Sequence, residues 1–299
     1  MNSLNYTKNR LMRFLAVALL LVAASLPVCA ANLVQEFYLP LPEQQLYTAL
    51  NTIRPAAAIS TAQSSIYTIV VTGDGTVVYY DNWEDGYEID LSHPTSTNTY
   101  VWGDGIDTNG ICPGFVHDPV GLPTGTVITL TNTVTLPRNP SQILYDARDR
   151  IGATKALTIT HAGWPVTPGP VFGEAVSVLS TIDYGTNYVS PVGTNMANLL
   201  FKYVGMSVMA AQNNTTVTID PNGNGVGTTT IVLNQGESYQ VNNGIKQGGR
   251  ITSTKPVQAH LIIGDTGNSY ASDWFTLYPV ESWDNAYYTP VGSAKSGSY

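Results

Sequence analysis

The sequence predicts an all-β protein, and its composition, its charge content and its turn residues all point to this class. Of its 299 residues, 43% are hydrophobic and only 11% are charged, which excludes an intrinsically disordered chain. Glycine (27), proline (18) and tyrosine (18) are abundant, and this mixture favours short strands joined by tight turns. The formal net charge of -8 argues against nucleic acid or an anionic membrane surface as partner.

Residues 1–30 have the pattern of a secretory signal peptide. Lys8, Arg10 and Arg13 precede an apolar run from Phe14 to Val28, and cleavage is expected after Ala30. The run is shorter than the roughly 20 residues that a membrane-spanning helix needs. We therefore expect a secreted, extracellular protein associated with the cell surface, with no membrane span in the mature chain. A membrane anchor and a lipidated Cys29 are the alternatives, and the bulky Val28 argues against the second.

Loss of Cys29 with the signal would leave Cys112 as the only cysteine of the mature chain. A single cysteine cannot form an internal disulfide, so the fold must be stable on its hydrophobic core. Cys112 is then either buried and inert or a site of pairing between two chains. The second alternative would give self-association.

Several segments of the chain occur twice in the same order. Each copy contains two strand-like runs around a turn and, further on, an Arg-Ile segment followed by an apolar strand. We interpret this as two tandem immunoglobulin-like β-sandwich units, 64–195 and 196–292. The matching segments are Val70–Tyr79 with Ala210–Ile219 at a spacing of 140, Arg150–Ala156 with Arg250–Pro256 at 100, and Tyr188–Gly193 with Tyr287–Gly292 at 99.

The remaining segments are assigned around these two units. Residues 31–63 form an N-terminal cap with one short helix, in which Leu46, Leu50 and Ile53 follow Pro42 at helical spacing. Unit one carries an acidic and aromatic insert at 82–124, where unit two has only a short connection. Residues 293–299 are either a tail or the start of further sequence belonging to a larger parent chain.

The insert contains the candidate ligand-binding residues. No Lys or Arg occurs from residue 55 to residue 137, yet this stretch holds nine of the 21 acids. Aromatic rings beside carboxylates suit recognition of a protein or a glycan. The alternative is that Trp83 and Trp102 simply form the core of the insert. The predicted ligand-binding residues are Trp83, Glu84, Asp85, Tyr87, Glu88 and Trp102.

A second passage of the insert is the candidate metal site. Asp104, Asp107 and Asn109 bring oxygen ligands together among glycines, and Ca²⁺ prefers six to eight such oxygens. The spacing is not that of an EF-hand. The alternative is a system of Asp/Asn/Gly turns whose side chains bind their own backbone.

The sequence does not predict an enzyme. Its four histidines are scattered without metal-ligand spacing, and it has neither a nucleophile elbow nor a phosphate-binding loop. Glu84 and Glu88 could serve as a carboxylate pair in a hydrolase, which is the third-ranked hypothesis.

One motif, which begins before the insert and runs into it, resembles a segment of large secreted bacterial surface proteins. This motif is Gly75–Glu88, and Gly103-Asp104-Gly105 and Trp164-Pro165 accompany it. The Lys255-Pro256-Val257 strand and the repeated Tyr-x-x-Pro-Val-Gly motif resemble the N-terminal domain family of the IgG-Fc-binding protein. The resemblance covers residues 36–292. It implies an extracellular, β-rich, tandem protein that acts in binding or adhesion, and it supplies no catalytic residues.

The functional hypothesis follows from the signal peptide, the insert and the resemblance. We expect a structural or adhesion protein of the cell surface or extracellular matrix. It would bind an extracellular protein or glycan through the insert of unit one. The alternative is a carbohydrate-binding module of a larger secreted protein. A glycan array would separate the two.

Overall fold

The computed structural model describes residues 32–54, 59–266 and 272–284, so the predicted signal peptide and the 293–299 tail lie outside the described residues. The all-β prediction is confirmed, because β-strands dominate and the described part contains a single α-helix, α1 (Glu43–Ile53). No helix in the described ranges is long and apolar enough to cross a membrane. The strands are β1 (Gln35–Tyr38), β2 (Ala62–Val71), β3 (Val78–Asp81), β4 (Thr99–Trp102), β5 (Val127–Thr135), β6 (Arg150–Ala153), β7 (Leu157–Pro165), β8 (Glu174–Val178), β9 (Gly185–Val189), β10 (Tyr203–Ala210), β11 (Thr215–Asp220), β12 (Thr229–Leu233), β13 (Ser238–Val241), β14 (Arg250–Gly264) and β15 (Ser272–Leu277).

The first eight strands form two antiparallel sheets of four strands each. Sheet I has the order β1-β6-β3-β4, and sheet II has the order β5-β2-β7-β8. Alternate residues of β2 are buried, including Tyr67, Ile69 and Val71. They pack with Tyr80 and Ile151 of sheet I in one hydrophobic cluster. Burial of alternate side chains from two facing sheets is the arrangement of a β-sandwich.

The last seven strands form sheet III, in which the 15-residue strand β14 is central. Its first residues, Arg250 to Thr252, pair with β9 and β11, while Val257 to Gly264 pair with β10. Strand β15 pairs with the same second part of β14. The pairing register shifts between Thr252 and Val257. A single strand therefore takes part in two sets of pairings.

The pairings of β9–β15 follow the same order as those of β1–β8. Strand β6 lies between β1 and β3, as the first part of β14 lies between β9 and β11. Strand β7 lies between β2 and β8, as the second part of β14 lies between β10 and β15. Asp81 faces Arg150, and Asp220 faces Arg250. This register gives a spacing of 139 between the two hairpins rather than 140.

The sheets do not divide at the predicted domain boundaries. Strand β9, which the prediction assigns to 64–195, pairs with Arg250–Thr252 of β14. Strand β1, assigned to the N-terminal cap, pairs with β6 along its whole length. Both are short strands whose partners are distant in sequence, so local pattern alone could not place them. The boundary between the two sets of sheets therefore falls between β8 and β9.

Helix α1 confirms the prediction of one short N-terminal helix. It follows Pro42, and Leu46, Leu50 and Ile53 form its buried face. This face packs in a cluster with Val176 of sheet II and with Tyr203, Ile262 and Trp274 of sheet III. The helix therefore lies between sheet II and sheet III and fixes them against each other.

Candidate functional site

Trp83 lies in a short 3-10 turn, Trp83–Asp85, directly after β3. Its indole Nε1 donates to Asp146 Oδ1 at 3.0 Å, and its backbone N–H donates to Asp149 Oδ1 at 3.1 Å. The Arg148 guanidinium lies 4.0 Å from the centre of its ring, a distance at which cation–π attraction is effective. Trp83 is thus fixed by hydrogen bonds and a cation–π contact to the segment that leads into β6.

Glu84 forms an ion-pair network with residues that the sequence analysis did not select. Arg138 donates from its guanidinium to both Glu84 and Asp146, and the backbone N–H of Leu144 donates to Glu84 Oε1 at 3.0 Å. The side chains of Glu84 and Asp146 are each only 1% exposed. Glu84 Oε2 is buried without a hydrogen-bond partner. Arg138 is therefore the shared ion-pair partner of two buried carboxylates.

The network belongs to a buried group of four carboxylates, Glu43, Glu84, Asp146 and Asp149. Burial, assisted by the nearby Asp146 charge, raises the pKa of Glu43 to about 7. Burial and the same neighbour also raise the pKa of Asp149 well above its ordinary range. Oxygen atoms of Glu84, Asp146 and Asp149 all lie within 4.8 Å of one another. This group can hold protons near neutral pH, and its oxygens are of the type that hard cations bind.

The sequence contains a signal for this group that the predicted site does not include. The stretch without basic residues ends at residue 137, and the next residue is Arg138. Asp146, Arg148, Asp149 and Arg150 then follow within a few positions. Arginines that directly follow an acidic stretch without bases are candidates for ion pairs with its carboxylates.

Tyr87 lies where the insert meets sheet III. Its hydroxyl donates to the Arg148 carbonyl oxygen at 2.7 Å, and Arg148 Nε donates to the Gly236 carbonyl oxygen at 3.1 Å. Gly236 has a φ of +70°, and a Cβ placed there would lie 1.6 Å from the Tyr87 hydroxyl oxygen. Only glycine fits both the turn between β12 and β13 and this contact. Tyr87 therefore packs between the segment that leads into β6 and the β12–β13 turn of sheet III.

Asp85 and Glu88 bind groups of the following loop. Glu88 is 7% exposed, and its Oε1 accepts from the backbone N–H groups of Thr95 at 2.7 Å and Ser96 at 2.6 Å. Burial acts to raise the pKa of Glu88, but these hydrogen bonds outweigh it and lower the pKa. Asp85 is exposed and accepts from the Ser96 hydroxyl and from Asn98 Nδ2. Both carboxylates therefore fix the loop that follows them.

Trp102 does not fit its predicted role as a ligand-binding residue. It is 1% exposed and belongs to the hydrophobic core between sheets I and II. Its ring lies parallel to that of Tyr100 at 6.2 Å and tilted against that of Tyr80 at 5.6 Å. Because the last residue of β4 points inward, this ring has no face open to a ligand. The alternative, that Trp102 forms part of the core, agrees with the structure.

The candidate metal ligands lie in the loop that follows Trp102. Asp104 accepts from the Ile106 N–H at 2.9 Å and from Asn109 Nδ2 at 2.7 Å. Asp107 accepts from the Asp118 N–H at 2.7 Å and contacts His117 Nδ1 at 2.7 Å. Asn109 Oδ1 is buried without a hydrogen-bond partner. Most of these oxygens bind their own loop, and calcium at these three residues stays a prediction.

Asp118 organises this loop, although the sequence analysis did not select it. Its Oδ2 accepts from the backbone N–H groups of Gly103 at 2.7 Å, Asp104 at 3.0 Å and Gly105 at 3.0 Å. Its Oδ1 accepts from the Cys112 N–H at 3.1 Å. One buried carboxylate thus satisfies four backbone donors. Cys112 is itself fully buried, and burial raises the pKa of its thiol to about 12.

The same loop exposes a series of large apolar side chains. We name residues 103–121 the apolar loop. Isolated exposed apolar residues are normal on protein surfaces, whereas a contiguous group of them is typical of an interaction site. The exposed fractions are 51% for Ile106, 40% for Ile111, 37% for Phe115, 84% for Val116 and 90% for Val120.

A small cleft lies beside the carboxylate group. Its volume is about 440 Å³, and Trp83, Arg138, Asp146 and Arg148 contribute to its walls together with Gln44 from α1. Pockets of this size hold small ligands, and a few polar groups fix their orientation. The cleft is the part of the described protein where Trp83 and buried carboxylates face the same space.

Comparison with known proteins places the resemblance in the C-terminal part of the chain. The family model described as IgGFc binding protein matches residues 174–298. The match begins at the first residue of β8 and includes the Lys255-Pro256-Val257 strand and the second Tyr-x-x-Pro-Val-Gly motif. The predicted resemblance is confirmed there, and the Gly75–Glu88 motif lies outside the matched range. No curated protein and no solved structure matches the chain.

Proposed function

We propose that this chain is a secreted protein of the cell surface or extracellular matrix that binds a macromolecular partner through the apolar loop. The matched family suggests an extracellular binding protein. The observation that carries the proposal is the exposure of apolar side chains on this one loop, most strongly Val116 at 84% and Val120 at 90%. The contact surface thus lies in the predicted insert, but on residues other than Trp83–Glu88.

The construction of the apolar loop supports binding by a preformed surface. Asp118 holds both arms of the loop, and an isolated bridge pairs Asp104 with Val120. A loop fixed in this way loses little conformational entropy when a partner binds. Exposed apolar side chains and the carboxylates of Asp104 and Asp107 occur on the same loop, and protein interfaces combine apolar and polar groups in this way.

We also propose that the two sets of sheets are tandem repeats, of which one has acquired the loop. The equal order of strand pairings and the Asp81–Arg150 and Asp220–Arg250 registers support this organisation. Strands β3 and β4 enclose residues 82–98, and the chain needs residues 103–126 before β5 begins. The corresponding strands β11, β12 and β13 are joined by much shorter connections. Functional loops on a rigid sandwich are a common arrangement.

A saccharide ligand is the second candidate, and the cleft beside Trp83 is the observation that favours it. The Trp83 indole, two guanidinium groups and carboxylates line a volume of about 440 Å³ there. Such groups can read sugar hydroxyls while the ring covers an apolar face. Under this alternative, binding would depend on the cleft and would be independent of the apolar loop.

A double substitution tests the main proposal. Val116→Ser with Val120→Ser removes exposed apolar surface from the loop and should leave the fold intact. Surface plasmon resonance would compare the variant with the natural protein on two surfaces, immobilised basement-membrane matrix and immobilised Fc fragment. On the surface that binds the natural protein, we expect the affinity of the variant to be at least tenfold lower. Removal of two such anchors from an interface typically has an effect of this size.

The matched control is Val226→Ser with Val232→Ser, which changes two valines that are 69% and 59% exposed in the β9–β15 part. Its binding should equal that of the natural protein. Equal loss in both variants, or no loss in the loop variant, would contradict the proposal. Defined hits on a glycan array that Gln44→Ala weakens and the loop variant retains would favour the saccharide alternative.

A further inference from the structure

An apolar groove of about 960 Å³ lies on the β9–β15 part, far along the chain from the insert. Leu261 and Ile263 of β14 and Phe275 of β15 form one wall, and Leu200 and Phe201 of the connection between β9 and β10 form another. Phe275 is 46% exposed and Leu200 is 37% exposed. The groove thus presents large apolar side chains to solvent.

The strand registers identify the corresponding surface of sheet II. Ile159 of β7 pairs with Val178 of β8, and Ala259 of β14 pairs with Leu277 of β15. Two residues earlier in β8 and β15, the wall residue Phe275 therefore takes the position of Val176. Leu261 and Ile263 likewise take the positions of His161 and Gly163. The groove and this part of sheet II are equivalent places in the two sets of sheets.

Helix α1 covers the equivalent place in sheet II. Glu43 Oε1 accepts from the Ser65 hydroxyl of β2 at 2.6 Å. A Cβ placed at Gly163 would lie 3.3 Å from Leu46 Cδ1, so this helix side chain packs directly on β7. Val176 is 3% exposed and belongs to the same cluster as Leu46 and Leu50. The helix therefore converts this face of the sheet into core.

No helix occupies this place over Leu261, Ile263 and Phe275 among the described residues. The chain between β1 and β2 includes α1, whereas the connection Ser190–Lys202 between β9 and β10 includes only the 3-10 turn Leu199–Phe201. The apolar surface that α1 covers in one set of sheets borders a groove in the other, where Phe275 stays 46% exposed while Leu261 and Ile263 are 2% and 4% exposed. The occupant seen in the first set indicates which kind of element fits the second.

We propose that the groove binds an amphipathic helix of a partner protein, which would lie on β14 and β15 as α1 lies on β7 and β8. The charges around the groove define the polar face of that helix. Asp273 lines the groove, and the exposed Glu281 directly precedes the lining residues Ser282 and Trp283. Lys202, the nearby base, is paired with Asp265 at 3.1 Å. The partner helix carries apolar residues at i, i+3, i+4 and i+7 and basic residues that flank this apolar face.

Three model peptides test this proposal on the full mature chain. The first is a Leu/Lys peptide of 14 residues with the leucines on one helical face, the second replaces its lysines by glutamates, and the third scrambles the Leu/Lys order. We expect the first to bind, as measured by fluorescence anisotropy, and the other two to bind at least tenfold more weakly. Binding should also shift the emission of Trp283, which lines the groove.

Phe275→Asp should lower the affinity for the Leu/Lys peptide at least tenfold. The matched control is Val232→Asp, at a strand position of the same part of the chain that is 59% exposed against 46% for Phe275, and it should change nothing. Equal binding by Phe275→Asp and the natural protein would overturn the proposal. Self-association that Phe275→Asp abolishes would also overturn it, because the groove would then bind a second copy of the chain. Peptide binding only after removal of residues 285–299 would overturn it as well, because the groove would then bind the chain's own C-terminal segment.

Discussion

Replacing Arg138 by methionine is expected to lower the free energy of unfolding by about 3–5 kcal/mol at pH 8, the typical cost of removing one partner from a buried ion pair. Arg138 donates to both Glu84 and Asp146, whose side chains are each 1% exposed. Methionine keeps much of the volume but leaves two carboxylates without a counter-charge in the interior. Urea unfolding, followed by far-UV circular dichroism, measures the change.

The loss should shrink as the pH is lowered from 8 to 5. Burial already raises the pKa of both Glu84 and Asp146 in the natural protein, and removal of the guanidinium raises each of them further. A carboxyl group whose pKa is higher in the folded state than in the unfolded state stabilises the fold at low pH, and this stability is lost as the pH rises. Lys155→Met, at an exposed base, should cost less than about 1 kcal/mol at either pH. A pH-independent loss in Arg138→Met would contradict the buried ion-pair network.

Replacing Trp102 by alanine is expected to cost about 3–5 kcal/mol of unfolding free energy, because it leaves a large cavity between sheets I and II. The indole is 1% exposed and contacts the rings of Tyr80 and Tyr100. Thermal and urea unfolding should therefore move together to lower midpoints. If Trp102 were mainly a ligand-binding residue, the substitution would weaken binding and leave the unfolding midpoint almost unchanged.

Trp283→Ala is the matched control for this substitution. Trp283 is 51% exposed, and its indole donates to the Tyr278 carbonyl oxygen at 3.2 Å. The expected cost is below about 1 kcal/mol, as is usual at the surface. Similar losses in the two variants would contradict the placement of Trp102 in the core.

The fold class and the helix could be predicted because their signals are local. Turn residues and β-branched residues recur along the whole chain, and α1 begins after Pro42 with Leu46, Leu50 and Ile53 on its buried face. The strand partners depend on distant segments. Strand β9, for example, pairs with β14, some sixty residues later in the sequence. The sheet boundaries therefore could not be derived from local pattern.

The sequence predicted which acidic and aromatic residues are concentrated in the insert, but it did not predict which of them are buried or what they bind. Glu84 and Arg138 are 54 residues apart in sequence, so only the fold brings them together. Trp102 ends a strand of four residues, which is too short for alternation to indicate its buried side. Asp104, Asp107 and Asn109 illustrate a further difficulty, because a turn that binds its own backbone and a cation loop use the same residues.

The most direct test of the account is hydroxyl-radical footprinting of the mature protein, read by mass spectrometry. The central claim is that Trp102 is buried in the core, whereas residues 103–121 carry exposed apolar side chains. We predict rapid oxidation of Trp283 and of the peptide that carries Phe115 and Val116, and at least tenfold slower oxidation of Trp102. Oxidation of Trp102 as fast as that of Trp283, or protection of Phe115 and Val116, would contradict the account.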